Sequence, residues 1–216
     1  LLYFLVIFRS NLSNKEISWG MRKAPMKFNR YLLKCSAVGA LGGLLFGFDT
    51  AVISGATSSL SETFKLTPVW LGTTVASALW GTVLSAMFAG VIGERLGARE
   101  TLRITAVAYV ISAFGCALAW DLPSLIFFRF LGGLGIGGSS VLGPVYIAEL
   151  APAAWRGRLV GLFQVNIVIG FLLAYFSNYL ISLAPFGINE WRYQLGVSAM
   201  PALAFLVMLF GIPRSP

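Results

Sequence analysis

Histidine is absent from the 216 residues and cysteine occurs only twice. The commonest metal ligand and general base is therefore missing, and two thiols do not make a zinc site, so histidine-dependent catalysis and thiolate zinc binding are excluded. Charge is scarce as well: 11% of residues are charged, against about a quarter in an ordinary soluble domain. The 57% of hydrophobic residues thus exceeds what a soluble core explains. Uncharged runs cover 66–93, 104–120, 130–148, 159–189 and 193–213, and 35–61 is interrupted only by Asp49. A helix needs about 20 apolar residues to cross the ~30 Å hydrocarbon layer. Each run except the short 104–120 reaches that length, and the pattern predicts an all-α integral membrane protein with six transmembrane helices.

The few charges set the topology. With the N-terminus inside, 13 of the 16 basic residues fall in cytoplasmic segments, only Lys65 and Arg192 fall outside, and Arg129 lies within a span. Such a bias predicts a multi-pass protein with both termini cytoplasmic. Trp70, Trp120 and Trp191 fall at predicted outer ends, where indoles favour the headgroup region. The net charge of +8 follows membrane topology rather than a soluble basic face, so nucleic acid is not an expected partner. Cys35 and Cys116 fall near opposite membrane faces, which argues against a disulfide and for buried packing thiols.

Residues 1–34 read as a cytoplasmic leader. Leu1–Phe8 is apolar but too short to span and lacks the features of a signal peptide. Either Met21 or Met26 is the natural start, with the residues before it an upstream extension, or the segment is a disordered or surface-lying leader. The sequon Asn11-Leu12-Ser13 is predicted to be cytoplasmic and hence unglycosylated.

Glycine is concentrated in two spans: Gly39, Gly42, Gly43, Gly47 and Gly55 in the first, and Gly132, Gly133, Gly135, Gly137, Gly138 and Gly143 in the fourth. The four-residue steps of Gly39, Gly43 and Gly47, and of Gly133 and Gly137, make faces on which neighbouring backbones can pack in lipid. The run from Gly133 to Gly138 imitates a dinucleotide fingerprint, but no strand precedes it and it lies in mid-membrane, so helix packing is the better reading. Asp49 and Arg129 are charges inside spans, each roughly 10 to 12 Å below the outer end of its helix. A lone charge at mid-span costs about 2.5 to 3.5 kcal/mol on insertion scales, so such residues usually face a partner or a water-filled cavity. Gln164, Asn166 and Asn178 in the fifth span either bind a polyhydroxylated ligand or tie helices together. Pro144 and Pro201 permit kinks in the fourth and sixth spans.

From about residue 35 to the end, the sequence resembles the sugar porters of the major facilitator superfamily. Four motifs carry the resemblance. Gly42-Gly43-Leu44-Leu45-Phe46-Gly47-Phe48-Asp49-Thr50-Ala51-Val52-Ile53-Ser54-Gly55 is similar to the family's first span. Gly90-Val91-Ile92-Gly93-Glu94-Arg95-Leu96-Gly97-Ala98-Arg99 is similar to the loop between the second and third spans, departing at Glu94, where the usual acid is Asp, and at Ala98, where arginine is usual. Arg129-Phe130-Leu131-Gly132-Gly133-Leu134-Gly135-Ile136-Gly137 continues through Pro144-Val145-Tyr146-Ile147-Ala148-Glu149-Leu150-Ala151-Pro152 to Arg156-Gly157. Trp191-Arg192 opens the sixth span, and Pro213-Arg214-Ser215-Pro216 looks like the start of a Pro-Glu-Ser-Pro-Arg signature with Arg214 in the place of Glu.

The resemblance implies that residues 35–213 form the N-terminal six-helix half of a twelve-helix transporter, with 214–216 beginning the central cytoplasmic loop. It implies a monosaccharide substrate bound between that half and a C-terminal six-helix half, with no cofactor beyond the proton as coupling ion. Asp49 and Arg129 match the pair found in proton-coupled members. Phe46 and Gln164 match sugar-contacting positions, Ile167 adds apolar contact, and Phe171 replaces a glutamine found in some symporters, which leaves pentose against hexose open. Glu94, Arg95, Arg99, Glu149 and Arg156 resemble an inner network that closes the cytoplasmic side, whereas Arg103 and Arg158 read as topology charges. Proton symport in a bacterial inner membrane is the favoured expectation. The alternatives are a proton-independent facilitator, a sugar sensor on the same scaffold, and a half-transporter that dimerises; a membrane enzyme is disfavoured, since one intramembrane carboxylate supplies no nucleophile and base set.

Overall fold

The computed structural model describes residues 30–152, 155–184 and 186–211, with side chains from residue 36 onward. The leader before residue 30, its sequon, the Cys35 side chain and Pro213 to Pro216 lie outside the described residues. With no water in a bilayer to satisfy backbone groups, long apolar runs close their hydrogen bonds within themselves as helices. The helices are α1 (Arg30–Phe64), α2 (Pro68–Leu96), α3 (Ala98–Ala117), α4 (Leu122–Leu150) and α5 (Arg156–Ser182), then a 3-10 turn (Gly187–Asn189), α6 (Glu190–Val197) and α7 (Ala199–Phe210). Among the described residues, six stretches are long and apolar enough to cross a membrane, the sixth being Gly187–Phe210.

The helix ends differ from the uncharged runs where local chemistry overrides the charge count. The short third run lengthens into a helix of 20 residues because α3 starts at Ala98, inside the charged segment; there Glu100 pairs with Arg99 and Arg103, so the charges are satisfied in helical geometry. A single residue separates α2 from α3, and Gly97 makes that turn at φ 86°, where a Cβ would be strained. The fourth helix begins eight residues before its uncharged run: Asp121 accepts the Ser124 N–H at 2.8 Å and Pro123 lies in the first turn, so α4 starts at Leu122. Hydrogen bonds from the Ser124 side chain and backbone also hold the exposed Asp121 carboxyl below its ordinary range. The sixth span divides at Ser198, because Pro201 has no N–H to offer the carbonyl of Val197. Pro144, by contrast, sits within an unbroken α4.

Glycines decide how the spans pack. Cβ atoms at Gly43 and Gly47 of α1 would collide with the carbonyl oxygens of Phe163 and Ile167 in α5. Cβ atoms at Gly133 and Gly137 of α4 would collide in the same way with Ala78 and Thr82 in α2. The α1/α5 contact is therefore repeated, with the same four-residue step, by α4/α2. The relation exchanges the first three spans with the last three, as in the inverted repeats of transporters. Close backbone approach takes the place of a hydrophobic driving force in lipid.

Of the three tryptophans expected at the outer interface, Trp70 and Trp120 are 53% and 73% exposed. Trp191 corrects that expectation: it is 0% exposed. The 3-10 turn carries the chain inward, so the indole packs 5.6 Å from the Phe64 ring, with the Arg192 guanidinium 4.5 Å above it. Trp191→Ala is expected to destabilise the fold by about 3 kcal/mol or more, measured as an earlier thermal transition of the detergent-solubilised protein; an unchanged transition would refute the packing role.

Candidate functional site

Asp49 and Arg129 meet in the middle of the bundle. Arg129 Nη1 donates to Asp49 Oδ1 at 3.2 Å, the side chains being 4% and 13% exposed. Helices of opposite direction bring them together because Asp49 lies just beyond the glycine face of α1 and Arg129 just before that of α4. Tyr109 on α3 donates its hydroxyl to the same Asp49 oxygen at 3.4 Å. The placement of Tyr109 is again set by glycine: a Cβ at Gly135 would lie 2.7 Å from the Thr105 carbonyl oxygen and 2.9 Å from Tyr109 Cβ, so α3 rests directly on the α4 backbone.

This arrangement is only partly satisfied. Both bonds to Asp49 are long, and Arg129 Nε is buried with no hydrogen-bond partner. An unpaired buried donor carries a desolvation cost of about 1–3 kcal/mol, which suits a pair that exchanges partners better than a static brace. Beside it lies a cavity of about 80 Å³, lined by Phe46, Asp49, Thr50, Thr82 and Arg129 among others. That is room for a few water molecules. The carboxylate thus has an arginine and a tyrosine on one side and water-sized space on the other.

The structure gathers Phe46, Asp49 and Arg129 around this cavity but not the rest of the expected ligand set. Gln164 is exposed on α5. Ile167 is partly buried and packs with Ala40, Leu159 and Phe163. Phe171 packs against the cluster that contains Trp191. Asn178 is a helix tie: its Nδ2 donates to the Val52 carbonyl at 3.1 Å. Asn166 bonds only its own helix, to Leu162 O at 2.8 Å. Cys116 is free and buried.

At the other end of the bundle, Glu94, Arg95, Glu149 and Arg156 are all exposed at helix ends. The ion pairs described there centre on Glu100, which takes Arg99 at 2.6 Å and Arg103 at 3.2 Å. Arg103 is more than a topology charge, which corrects the sequence reading. Its Nε and Nη2 donate to the Leu209 carbonyl at 3.3 and 3.2 Å, and its guanidinium lies 4.8 Å from the Phe210 ring centre. It ties α3 to the end of α7, and neutralises the dipole of that helix end. The i, i+3 spacing of Glu100 and Arg103 was the legible signal for the pair; no pattern marked Tyr109, one uncharged aromatic in an apolar run.

Comparison with known proteins places this geometry in a family. The sugar (and other) transporter family matches residues 35–216. A glucose transport protein of Synechocystis sp. is 42% identical over 196 residues, covering 87% of this chain and 42% of that protein. The D-xylose-proton symporter of Escherichia coli is 38% identical, covering 86% of this chain and 44% of its own length. The chain thus spans less than half the length of these curated relatives. Among solved structures, the partially occluded inward-open xylose transporter XylE from E. coli superposes with a TM-score of 0.82 at 38% identity, over 86% of this chain and 51% of that one. With six membrane-capable helices, a glycine-packed inverted repeat and this extent of match, the chain belongs to the sugar transporter family, as the N-terminal half of a major facilitator fold.

Proposed function

We propose that the full-length protein carries a monosaccharide across a bacterial inner membrane by alternating access, coupled to proton symport, with both termini of this six-helix half cytoplasmic. A C-terminal six-helix half completes the substrate cavity. Residues 35–213 are the half-transporter proper, with 1–34 the cytoplasmic leader and 214–216 the start of the central loop. The observation that carries the reading is the buried, incompletely bonded Asp49–Arg129 pair beside a water-sized cavity. A carboxylate so placed can cycle between an arginine-paired anion and a neutral acid facing the cavity, and the two forms favour different helix arrangements. No cofactor enters the scheme; the proton is the coupling ion. That relatives are described as D-xylose-proton and arabinose-proton symporters supports the same reading.

In this scheme Phe46 packs on the sugar ring, and Gln164 and Ile167 meet it from α5 once the second half covers that helix. Glu94, Arg95, Arg99, Glu149 and Arg156 form the cytoplasmic gate, joined by Glu100 and Arg103, whose bonds to Leu209 must break or slide for α3 and α7 to move apart. The test is sugar-driven proton entry into proteoliposomes holding the full-length protein and an internal pH dye, with D-xylose, D-glucose and L-arabinose offered in turn. Internal acidification on addition of one sugar is expected. Uptake of sugar with no proton movement would replace symport by facilitated diffusion, leaving Asp49 a structural partner of Arg129.

A further inference from the structure

The Tyr109 ring is 2% exposed and packs in an apolar cluster with Leu45, Ile136 and Phe205. Phenylalanine would fill that space equally well, and a buried hydroxyl without a partner is a net cost. The Tyr109 hydroxyl has its partner in Asp49 Oδ1, at 3.4 Å. We propose that Tyr109 is a further positioning residue for the coupling proton: its hydroxyl holds the Asp49 carboxylate in the anionic, arginine-facing arrangement and so sets the pH at which the site loads. The inference rests on the symport reading above.

Among the described residues, Tyr109 and Arg129 are the side chains that hydrogen-bond Asp49. From α4 comes Arg129, a permanent cation. From α3 come Tyr109 and the Cys116 thiol, the latter bonded with Ser112 rather than Asp49. The α2 residues lining the cavity, Val75, Ala78, Leu79 and Thr82, carry no charge. The titratable side chains of α5, Arg156, Arg158, Tyr175 and Tyr179, are all exposed. Those of α6 lie at the outer end, where Glu190 accepts from Gln194 at 2.7 Å and Arg192 donates to the Ala117 carbonyl. A donor to the anion favours the charged form, and its removal favours the proton-bound form.

Tyr109→Phe in the full-length protein is the test, because it deletes one oxygen and keeps the ring. The midpoint of the pH dependence of sugar-driven proton entry is expected to rise by about one pH unit, the scale of one hydrogen bond to a charged group. Sugar counterflow, which needs no net proton movement, is measured on the same variant as the report on folding. A second measurement does not depend on coupling: infrared titration of the Asp49 carboxylic-acid band, identified by its loss in Asp49→Asn, should show the same upward displacement. Coincident wild-type and Tyr109→Phe titrations overturn the role of Tyr109 and leave symport intact. A displaced infrared titration in a protein whose sugar moves no protons supports the role of Tyr109 and overturns the symport reading instead.

Discussion

Asp49→Asn is expected to abolish sugar-driven proton entry in the full-length protein while sugar exchange continues. The amide keeps the shape of the carboxylate and an oxygen that can still accept from Arg129 Nη1, now 3.2 Å from Asp49 Oδ1. What it loses is the ability to change charge. Removing the acceptor altogether is a different perturbation: Asp49→Ala strands a guanidinium that is 4% exposed and already has an unpaired Nε. Breaking a buried pair in that way costs about 3–5 kcal/mol, so the alanine variant should lose both coupling and stability. The pairing of outcomes is informative. Proton entry that persists in Asp49→Asn at wild-type rate would exclude Asp49 as the coupling group. Loss of exchange together with coupling in the asparagine variant would show that charge pairing, rather than proton exchange, is what the site requires.

The second large effect is expected at the glycine contacts. Gly47→Val and Gly133→Val should yield little or no monodisperse protein from the membrane, whereas Gly161→Ala should behave as wild type. A Cβ at Gly47 would overlap the Ile167 carbonyl oxygen and lie 2.9 Å from its carbon; a Cβ at Gly133 would overlap the Ala78 carbonyl and lie 2.8 Å from that carbon. These obstacles are backbone atoms of continuous helices and cannot rotate away. Overpacking typically costs about 1–3 kcal/mol, and contacts against backbone fall at the upper end or beyond. Around Gly161 nothing lies within 4 Å of the added atom. Size-exclusion profiles of the three variants decide the matter, and recovery of well-folded Gly133→Val would refute the close α2/α4 approach.

The two expected results draw on different kinds of information. That Asp49 and Arg129 share a depth was readable from residue counting alone, because a helix rises uniformly and both spans are anchored at their outer ends. That the glycine ladders face α5 and α2 was not readable, because a small-residue face declares that something approaches closely but not which helix does so. Gln164 and Asn178 illustrate the same limit. Both are polar residues on one apolar span, yet one is exposed and the other bonds the Val52 carbonyl. Periodicity did not separate them because the span is apolar nearly all round, leaving no polar stripe to define an orientation.

Charge made the spans legible from the sequence: uncharged stretches long enough to cross lipid, and two charges that insertion makes costly and therefore conspicuous. These are one-dimensional quantities, set by length and by transfer into hydrocarbon. The tertiary structure alone decided which groups meet. It buried Trp191, moved Arg103 from a loop charge to a tie on Leu209, divided the sixth span at Ser198, and placed the Tyr109 hydroxyl on Asp49. Each of these depends on helix rotation and close backbone approach, which follow from packing between spans distant in sequence and leave no periodic trace within any one of them.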